Sequence, residues 1–441
     1  MSILEKYLVL PKLLYFILSL HIYTLHSYRG LFAKKMFGID EGLYGKVNGI
    51  LMLIAFFSNI AIGNLIDWFH QPVIISILML IGSTICFLLF FIVKSILQFW
   101  MCFFVYVLFC SGLVPIIDRI ILEFLSQHNY SSEVYGKQRM FGTLGYVVAC
   151  YSVEKLVGGN DILEFSNLRI YLIGVTVLAV SISFCFYKRK TPFIEVKKKE
   201  RKNTGIIDLL KTKSYMFFIG IIFFIGLGRS VMTLYLTTYL SKVLKIRGFE
   251  CKNSWWFWKF INENPMATLA FFGVSVEVLI LFFLKYISKI GLYWPLLIAG
   301  IAQMIRFIGY YFLKNGKMAF LWCCGIESMK GINFGLTHSS GVRLANSLCP
   351  EHLKSTSQMI YSGSFGGLAS VIAGWVFGNM FDEINADTPE RITEFKTIFL
   401  INAFLCVVFS FLFIFKYGII DKKLKLWCFQ KKYIDIEEEK I

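Results

Sequence analysis

Twelve long apolar stretches constrain this chain of 441 residues more than any other feature of its sequence. Each stretch has about 20 residues or more, which as a helix crosses the ~30 Å hydrocarbon core of a bilayer. A transmembrane β-barrel would instead need shorter segments of alternating polarity. We therefore predict an all-α membrane protein with twelve transmembrane helices, called spans 1 to 12, at residues 11–32, 45–66, 72–93, 97–125, 136–157, 169–187, 215–240, 265–288, 293–313, 318–347, 353–381 and 394–418.

The composition excludes several other classes of protein. Apolar residues make up 57% of the chain and charged residues only 17%, whereas an ordinary soluble protein has about 25% charged residues. The net charge of +17 would suggest nucleic acid in a soluble chain, but the basic residues lie in the connections and no RNA-binding motif is present. The 11 cysteines are scattered without a Cys-x-x-Cys motif. We expect membrane lipid as a partner, no nucleic acid, no cofactor and no metal.

Basic residues predict the orientation in the membrane. They are concentrated between spans 6 and 7, at residues 188–213, and again in the tail after span 12. Cytoplasmic loops carry the excess of Lys and Arg, so both regions and both termini are expected in the cytoplasm. The loop at 242–264 is also basic and contains three tryptophans, and we interpret it as an amphipathic segment on the outer surface.

The basic linker divides the chain into two halves that resemble each other. We predict an N-terminal six-helix half at 1–190, a cytoplasmic linker at 191–214, a C-terminal six-helix half at 215–418 and a cytoplasmic tail at 419–441. A shift of 221 residues carries Gly142 and Gly145 of span 5 onto Gly363 and Gly366 of span 11. This spacing favours two parallel six-helix pseudo-repeats, which in transporters alternate access to a midplane site.

Charged residues in the N-terminal half predict a solute site. Asp118 in span 4 and Arg139 in span 5 are expected at similar depth, one to two turns from the cytoplasm, where a carboxylate–guanidinium pair is strong if water is scarce. The pair binds solute or gates the pathway; the alternative is a structural clamp. His26 in span 1 either faces the cavity or is a satisfied structural histidine. Asp67, at the cytoplasmic end of span 2, is a candidate gate contact.

Charged residues in the C-terminal half predict a proton pathway. Arg306 of span 9 and Glu327 of span 10 both fall in the outer half of the membrane, and Lys330 is close enough to pair with Glu327 along the helix. His338 is eleven residues beyond Glu327, on the same face but ~16 Å further along. These groups couple protons or contact the solute, or else form a static network. Arg229 in span 7 and Glu277 in span 8 also lie in apolar runs and need partners.

Four ordered motifs resemble a known family. They are Pro115 to Asp118 with Tyr135–Gly145, Arg306 in Met-Ile-Arg-Phe-Ile, the run from Glu327 to Arg343, and the run from Tyr361 to Gly367. They are similar to the major facilitator superfamily, in the branch of lactose permeases and nucleoside–proton symporters and its major facilitator 1-like group.

The resemblance implies the major facilitator fold and roles for individual residues. By it Asp118 and Arg139 bind substrate, and Arg306, Glu327, Lys330 and His338 serve proton coupling, although Lys330 stands where relatives often have histidine. We therefore expect a monomeric secondary active transporter of a sugar, nucleoside or organic acid, working by alternating access with protons as the coupling ion. The alternatives are an uncoupled facilitator and a non-transporting receptor or scaffold. We do not expect an enzyme, because no nucleophile–base motif is present.

Overall fold

A computed structural model gives the structure of residues 8–69, 71–128, 130, 133–158, 163–188, 209, 211–246, 248, 256–349, 357, 360–381 and 390–424. The regular secondary structure of these residues is entirely helical, as predicted. Nine helical segments within them are long and apolar enough to cross a membrane: Val9–Phe37, Pro72–Leu89, Ile96–Asp118, Asn167–Phe186, Lys213–Val243, Pro265–Phe282, Tyr293–Phe312, Ile360–Gly378 and Glu390–Ile420.

The α-helices follow the predicted spans closely. They are α1 Val9–Ile22, α2 Arg29–Phe37, α3 Glu41–Phe69, α4 Pro72–Leu89, α5 Ile96–Gln127, α6 Glu133–Val157, α7 Asn167–Lys188, α8 Lys213–Thr238, α9 Trp256–Glu263, α10 Pro265–Phe282, α11 Leu284–Ile287, α12 Tyr293–Phe312, α13 Ala319–Ser347, α14 Ala369–Gly378 and α15 Glu390–Phe413. Turns of 3-10 helix lie at His26–Tyr28 and Ser288–Ile290. Turns of π-helix lie at Tyr239–Val243, Gly363–Leu368 and Ile414–Ile420.

Three further helices are also long. α3, α6 and α13 have 29, 25 and 29 residues and cover predicted spans 2, 5 and 10. Two of these helices contain charged residues that the sequence analysis predicts as site residues. Arg139 lies in α6, and Glu327 and Lys330 lie in α13. Their lengths exceed the ~20 residues that a bilayer crossing requires.

Span 1 is interrupted, which the sequence did not predict. α1 ends at Ile22 and the chain passes through the His26–Tyr28 turn before α2 begins at Arg29. Thr24 donates its hydroxyl hydrogen to the carbonyl oxygen of Leu20 at 2.9 Å. Such side-chain bonds compete with the regular helical ladder and bend helices.

The chain forms two compact units. The first contains 1–198, 230–271 and 366–392, and the second contains 199–229, 272–365 and 393–441. In the first unit, α1 packs against α6 and α7, α4 against α5, and α14 against α3. A methyl group at Gly374 of α14 would overlap the backbone of Gly45 in α3, so these two helices are in backbone contact. In the second unit, α12 and α13 pack side by side.

Aromatic side chains fill the interior of the first unit. Phe32, Phe87, Phe90, Phe99 and Phe103 are all almost completely buried and belong to one cluster. Their ring centroids lie 5.5 to 6.2 Å apart in the pairs Phe90–Phe99, Phe32–Phe90 and Phe32–Phe99. Offset and edge-on ring pairs at these distances add packing energy beyond the burial of apolar area. The cluster fixes α2, α4 and α5 relative to one another.

Candidate solute and proton sites

A buried carboxylate lies between α12 and α13 in the second unit. Glu327 is 3% exposed, and its Oε1 accepts hydrogen bonds from Nε and Nη2 of Arg306 at 3.0 and 2.7 Å. The Tyr310 hydroxyl donates to the same oxygen at 2.5 Å. Arg306 and Tyr310 are four residues apart on α12 and therefore share a face. The guanidinium compensates the carboxylate charge, as a charge buried at this depth requires.

Residues further along α13 connect it to both neighbouring helices. Lys330 is one turn beyond Glu327 on α13, and its side-chain carbons lie beside Gly273 of α10. Asn333 is buried and donates from Nδ2 to the carbonyl oxygen of Ala299 in α12 at 2.9 Å. The predicted group of Arg306, Glu327 and Lys330 is thus brought together by the structure.

His338 has different neighbours. Its ring lies edge-on to Phe334, with centroids 4.2 Å apart, and to Phe365, with centroids 5.3 Å apart. The sequence predicts His338 on the face of Glu327, about 16 Å further along the helix. A role for His338 in coupling therefore requires a pathway along α13 rather than a direct contact.

The pair predicted in the first unit is present but loose. Nη1 of Arg139 lies 3.8 Å from Oδ2 of Asp118, with side chains 56% and 21% exposed. The Tyr15 hydroxyl of α1 donates to Asp118 Oδ1 at 2.6 Å. A methyl group at Gly145 would come within 2.5 Å of the Phe16 carbonyl oxygen, so the glycine lets α6 approach α1 closely.

Two other predicted site residues lie in turns or helix ends. His26 is half-buried in the 3-10 turn after α1 and packs edge-on against Tyr23, with ring centroids 5.2 Å apart. Asp67 is in the last turn of α3, and its side chain lies outside the described part of the chain.

Sequence reasoning missed several polar contacts. Glu154, near the end of α6, is 5% exposed and accepts hydrogen bonds from the backbone N–H of Met266 at 2.9 Å and Ala267 at 2.6 Å, in the first turn of α10. His21 of α1 is completely buried, with its ring nitrogens 2.8 Å from Ser83 Oγ and 3.1 Å from Thr176 Oγ1. The sequence does not indicate these contacts, because a hydroxyl or a backbone N–H inside an apolar stretch does not reveal its hydrogen-bond partner.

The described residues offer no metal site, since no three His, Cys, Asp or Glu side chains among them are placed to hold an ion. Apolar helices with paired charges buried among them are typical of membrane transport proteins.

The chain belongs to the MFS_1 like family, whose model matches residues 8–389. It is accordingly a multi-pass integral membrane protein of a transporter family, and not an enzyme. No curated protein matches its sequence.

Two solved structures share the fold. The crystal structure of the nucleoside transporter NupG is 16% identical, covers 93% of this chain and 98% of its own, and superposes with a TM-score of 0.74. A mutant of NupG is 17% identical, covers 92% and 98%, and has the same TM-score of 0.74. At these identities the superposition establishes a shared fold and nothing further.

Proposed function

We propose that this protein is a secondary active transporter that moves a small polar solute by alternating access, driven by an inward proton gradient. The buried group of Arg306, Tyr310 and Glu327 is the observation that carries the proposal. Two charges inside a membrane are costly, and they persist where they serve a pathway for ions, protons or solutes. A carboxylate that exchanges its arginine partner during a conformational change changes its affinity for a proton.

The fold part of the proposal is a set of twelve transmembrane helices in two six-helix halves with both termini in the cytoplasm. The nine apolar segments together with α3, α6 and α13 provide the twelve crossings. The linker at 191–214 and the tail at 419–441 supply the positive charge that places them inside. The protein acts in this proposal as a monomer surrounded by lipid.

The pair of Asp118 and Arg139 is the proposed solute contact. Both side chains are partly exposed, and Nη1 of Arg139 lies 3.8 Å from Oδ2 of Asp118. A carboxylate accepts and a guanidinium donates hydrogen bonds, so together they suit a polyhydroxylated solute such as a sugar or nucleoside. The likeness in fold to a nucleoside transporter puts nucleosides first among the solutes to test.

Uptake into proteoliposomes tests this function. Purified protein is reconstituted and offered radiolabelled uridine, adenosine, lactose and nicotinate, with and without an inward proton gradient at clamped membrane potential. We expect accumulation of at least one solute that collapses with a proton ionophore. Glu327→Gln should lose accumulation and retain exchange of solute, whereas Glu263→Gln, which changes an exposed carboxylate of α9, should behave as wild type.

An uncoupled facilitator is the second candidate, and Lys330 favours it. Arg306 donates two hydrogen bonds to Glu327 and Lys330 is one helical turn away, so the two cations and the carboxylate can form a static network. A facilitator would be established if the solute only reaches equal concentrations on both sides of the membrane and its uptake is unchanged by the ionophore. Absence of uptake for the whole panel would favour a receptor or scaffold.

A further inference from the structure

The first turn of α10 takes its hydrogen-bond acceptor from another helix. Pro265 begins α10 and has no N–H, so Met266 and Ala267 carry the first N–H groups that need an acceptor. Asn264 stands just before the helix, and its Nδ2 donates back to a carbonyl oxygen of α9 at 2.9 Å. The acceptor is the Glu154 carboxylate of α6, which lies 2.9 Å from the Met266 nitrogen and 2.6 Å from the Ala267 nitrogen.

A second contact lies one turn earlier on the same face of α6. Tyr151 is three residues before Glu154, and its hydroxyl oxygen lies 3.0 Å from Oγ1 of Thr268 in α10. The Tyr151 ring also stacks on Phe260 of α9, with ring centroids 4.9 Å apart. Polar and aromatic contacts therefore join the end of α6 to α9 and to the first turn of α10, all within the first unit.

The carboxylate in this contact is buried without a compensating cation. Glu154 is 5% exposed and takes part in none of the ion pairs that the described residues form. The titratable side chains at the end of α6 and on the elements packed against it are Tyr28, Cys150, Tyr151, Lys155, Lys259 and Glu263. The three charged members of this set are exposed, and Lys259 pairs with Glu263 at 3.9 Å.

This setting suits a carboxylate that is protonated and deprotonated reversibly. Burial without a cation penalises the ionised form, whereas two N–H bonds and the positive end of the α10 dipole stabilise it. When one oxygen of Glu154 takes up a proton, it becomes a hydrogen-bond donor, and the N–H group that it faced loses its acceptor. The other oxygen still accepts one bond.

We propose that Glu154 is a proton-binding site that controls the contact between α6 and α10. The ionised carboxylate holds the first turn of α10 through both N–H groups. A proton from the aqueous phase forms an O–H bond on Glu154, and the resulting carboxylic acid keeps one bond to α10 and releases the other. The proton enters at the surface where α6 ends and α10 begins, which is the outer one in the orientation proposed above. The site is separate from the group of Arg306 and Glu327, and it does not depend on the solute.

Hydrogen–deuterium exchange of the full-length protein in detergent micelles, read by mass spectrometry, tests the site without requiring transport. Exchange is followed from about pH 8.5 to about pH 5, with labelling times scaled to the chemical exchange rate at each pH. Protection of the first turn of α10 should fall by at least about threefold as the pH is lowered, as expected for the loss of one hydrogen bond. The first turn of α4 contains no acidic residue and no side-chain cap, so its protection should stay constant.

Three variants assign the effect to Glu154. Glu154→Gln keeps one acceptor oxygen and does not titrate, so exchange of the α10 turn should be independent of pH and within about twofold of the wild type at low pH. Glu263→Gln removes an exposed carboxylate two residues before α10 and is the matched control, which should retain the pH dependence. Tyr151→Phe removes the neighbouring hydroxyl contact, so it should lower protection at every pH and also retain the pH dependence.

Infrared difference spectra between the two ends of the pH range detect the proton itself. A protonated carboxylic acid has a carbonyl stretching band that an ionised carboxylate lacks. The wild type should therefore gain such a band at low pH. Most of this gain should be retained in Glu263→Gln, and the part that belongs to the buried acid should be missing in Glu154→Gln.

Three results would overturn the site. They are a wild-type α10 turn whose protection does not change with pH, a pH dependence that survives in Glu154→Gln, and a pH dependence that is lost in Glu263→Gln. The first result needs no variant, so the test still decides if Glu154→Gln does not fold. Uptake is measured separately, and a protein that transports no solute but shows the pH-dependent exchange would refute the transporter and leave the proton site standing.

Discussion

Tyr310 donates a hydrogen bond to Oε1 of Glu327 over 2.5 Å, and so joins Arg306 in holding the buried carboxylate against α12. The tyrosine is fully buried, and its hydroxyl makes this bond inside the second unit. Tyr15 does the same for Asp118 in the first unit, at 2.6 Å. Each unit thus contains an acid, an arginine and a tyrosine, although only the group in the second unit is fully enclosed.

For the enclosed group of Arg306, Tyr310 and Glu327, we expect a large loss of stability when the Glu327 carboxylate is left without its arginine. Arg306→Gln should lower the free energy of unfolding by about 3–5 kcal/mol, because the Glu327 carboxylate remains buried without its compensating charge. Tyr310→Phe removes one hydrogen bond to the same oxygen and should cost about 1–3 kcal/mol. Denaturant unfolding in mixed micelles, followed by circular dichroism, measures both.

The double variant Arg306→Gln with Glu327→Gln is the decisive control for this prediction. It removes both charges, so it should be more stable than Arg306→Gln alone. Losses that simply add would mean that the two side chains do not interact in the folded protein.

The exposed pair of the first unit predicts the opposite pattern. Asp118→Asn and Arg139→Gln should each abolish uptake while changing stability by no more than about 1 kcal/mol, since partly exposed ion pairs contribute little to folding. Uptake and thermal unfolding are measured on the same preparations. Lys137→Gln changes an exposed basic residue two positions before Arg139 and should leave both measurements unchanged.

If Asp118 and Arg139 form a structural clamp instead, the effects on uptake and on stability should be reversed. Normal uptake in both single variants, combined with a clear loss of stability, would remove Asp118 and Arg139 from the solute site.

Most of the helices could be predicted from the sequence because a membrane imposes length and polarity on each one. Span 9, predicted at 293–313, is Tyr293–Phe312, and span 10, predicted at 318–347, is Ala319–Ser347. Arg306 and Glu327 were found because a charge inside an apolar run is conspicuous and needs a partner. In the structure Arg306 donates two hydrogen bonds to Glu327.

The remaining contacts gave no such signal. Tyrosine is also enriched at membrane–water interfaces, so the sequence did not distinguish Tyr15 and Tyr310 as site residues. Glu154 binds backbone N–H groups of another helix, and no residue type marks such an acceptor in the sequence. The break after Ile22 also escaped prediction, because neither proline nor glycine marks it.

The orientation of the protein predicts the fate of a glycosylation sequon. Asn129-Tyr-Ser lies between spans 4 and 5, which we place in the cytoplasm, so Asn129 should remain unmodified in a eukaryotic host. Asn129 and Ser131 are outside the described residues. A shift on glycosidase treatment, read by gel electrophoresis, would reverse the orientation.

An engineered acceptor provides the positive control for topology. Trp255→Thr converts Asn253-Ser-Trp, in the loop placed outside and also beyond the described ranges, into a sequon. This variant should gain one glycan if the loop at 242–264 faces the lumen during synthesis. Modification of Asn129 together with a bare Asn253 would contradict the proposed orientation.

The carboxylate of Glu154 predicts a helix-capping effect across two helices. The first turn of any helix has N–H groups without helical partners, and Glu154 accepts from two of them in α10, at Met266 and Ala267. The negative charge also lies at the positive end of the α10 dipole. Glu154→Ala should therefore lower the free energy of unfolding by about 1–3 kcal/mol, because two backbone N–H donors, that of Ala267 buried, lose their acceptor. Glu154→Gln keeps one acceptor oxygen and should lose less stability.

Glu263→Ala, at an exposed carboxylate two residues before α10, is the matched control and should change stability by less than about 0.5 kcal/mol. Equal effects of Glu154→Ala and Glu263→Ala in thermal unfolding would show that the cap does not hold α10 to α6.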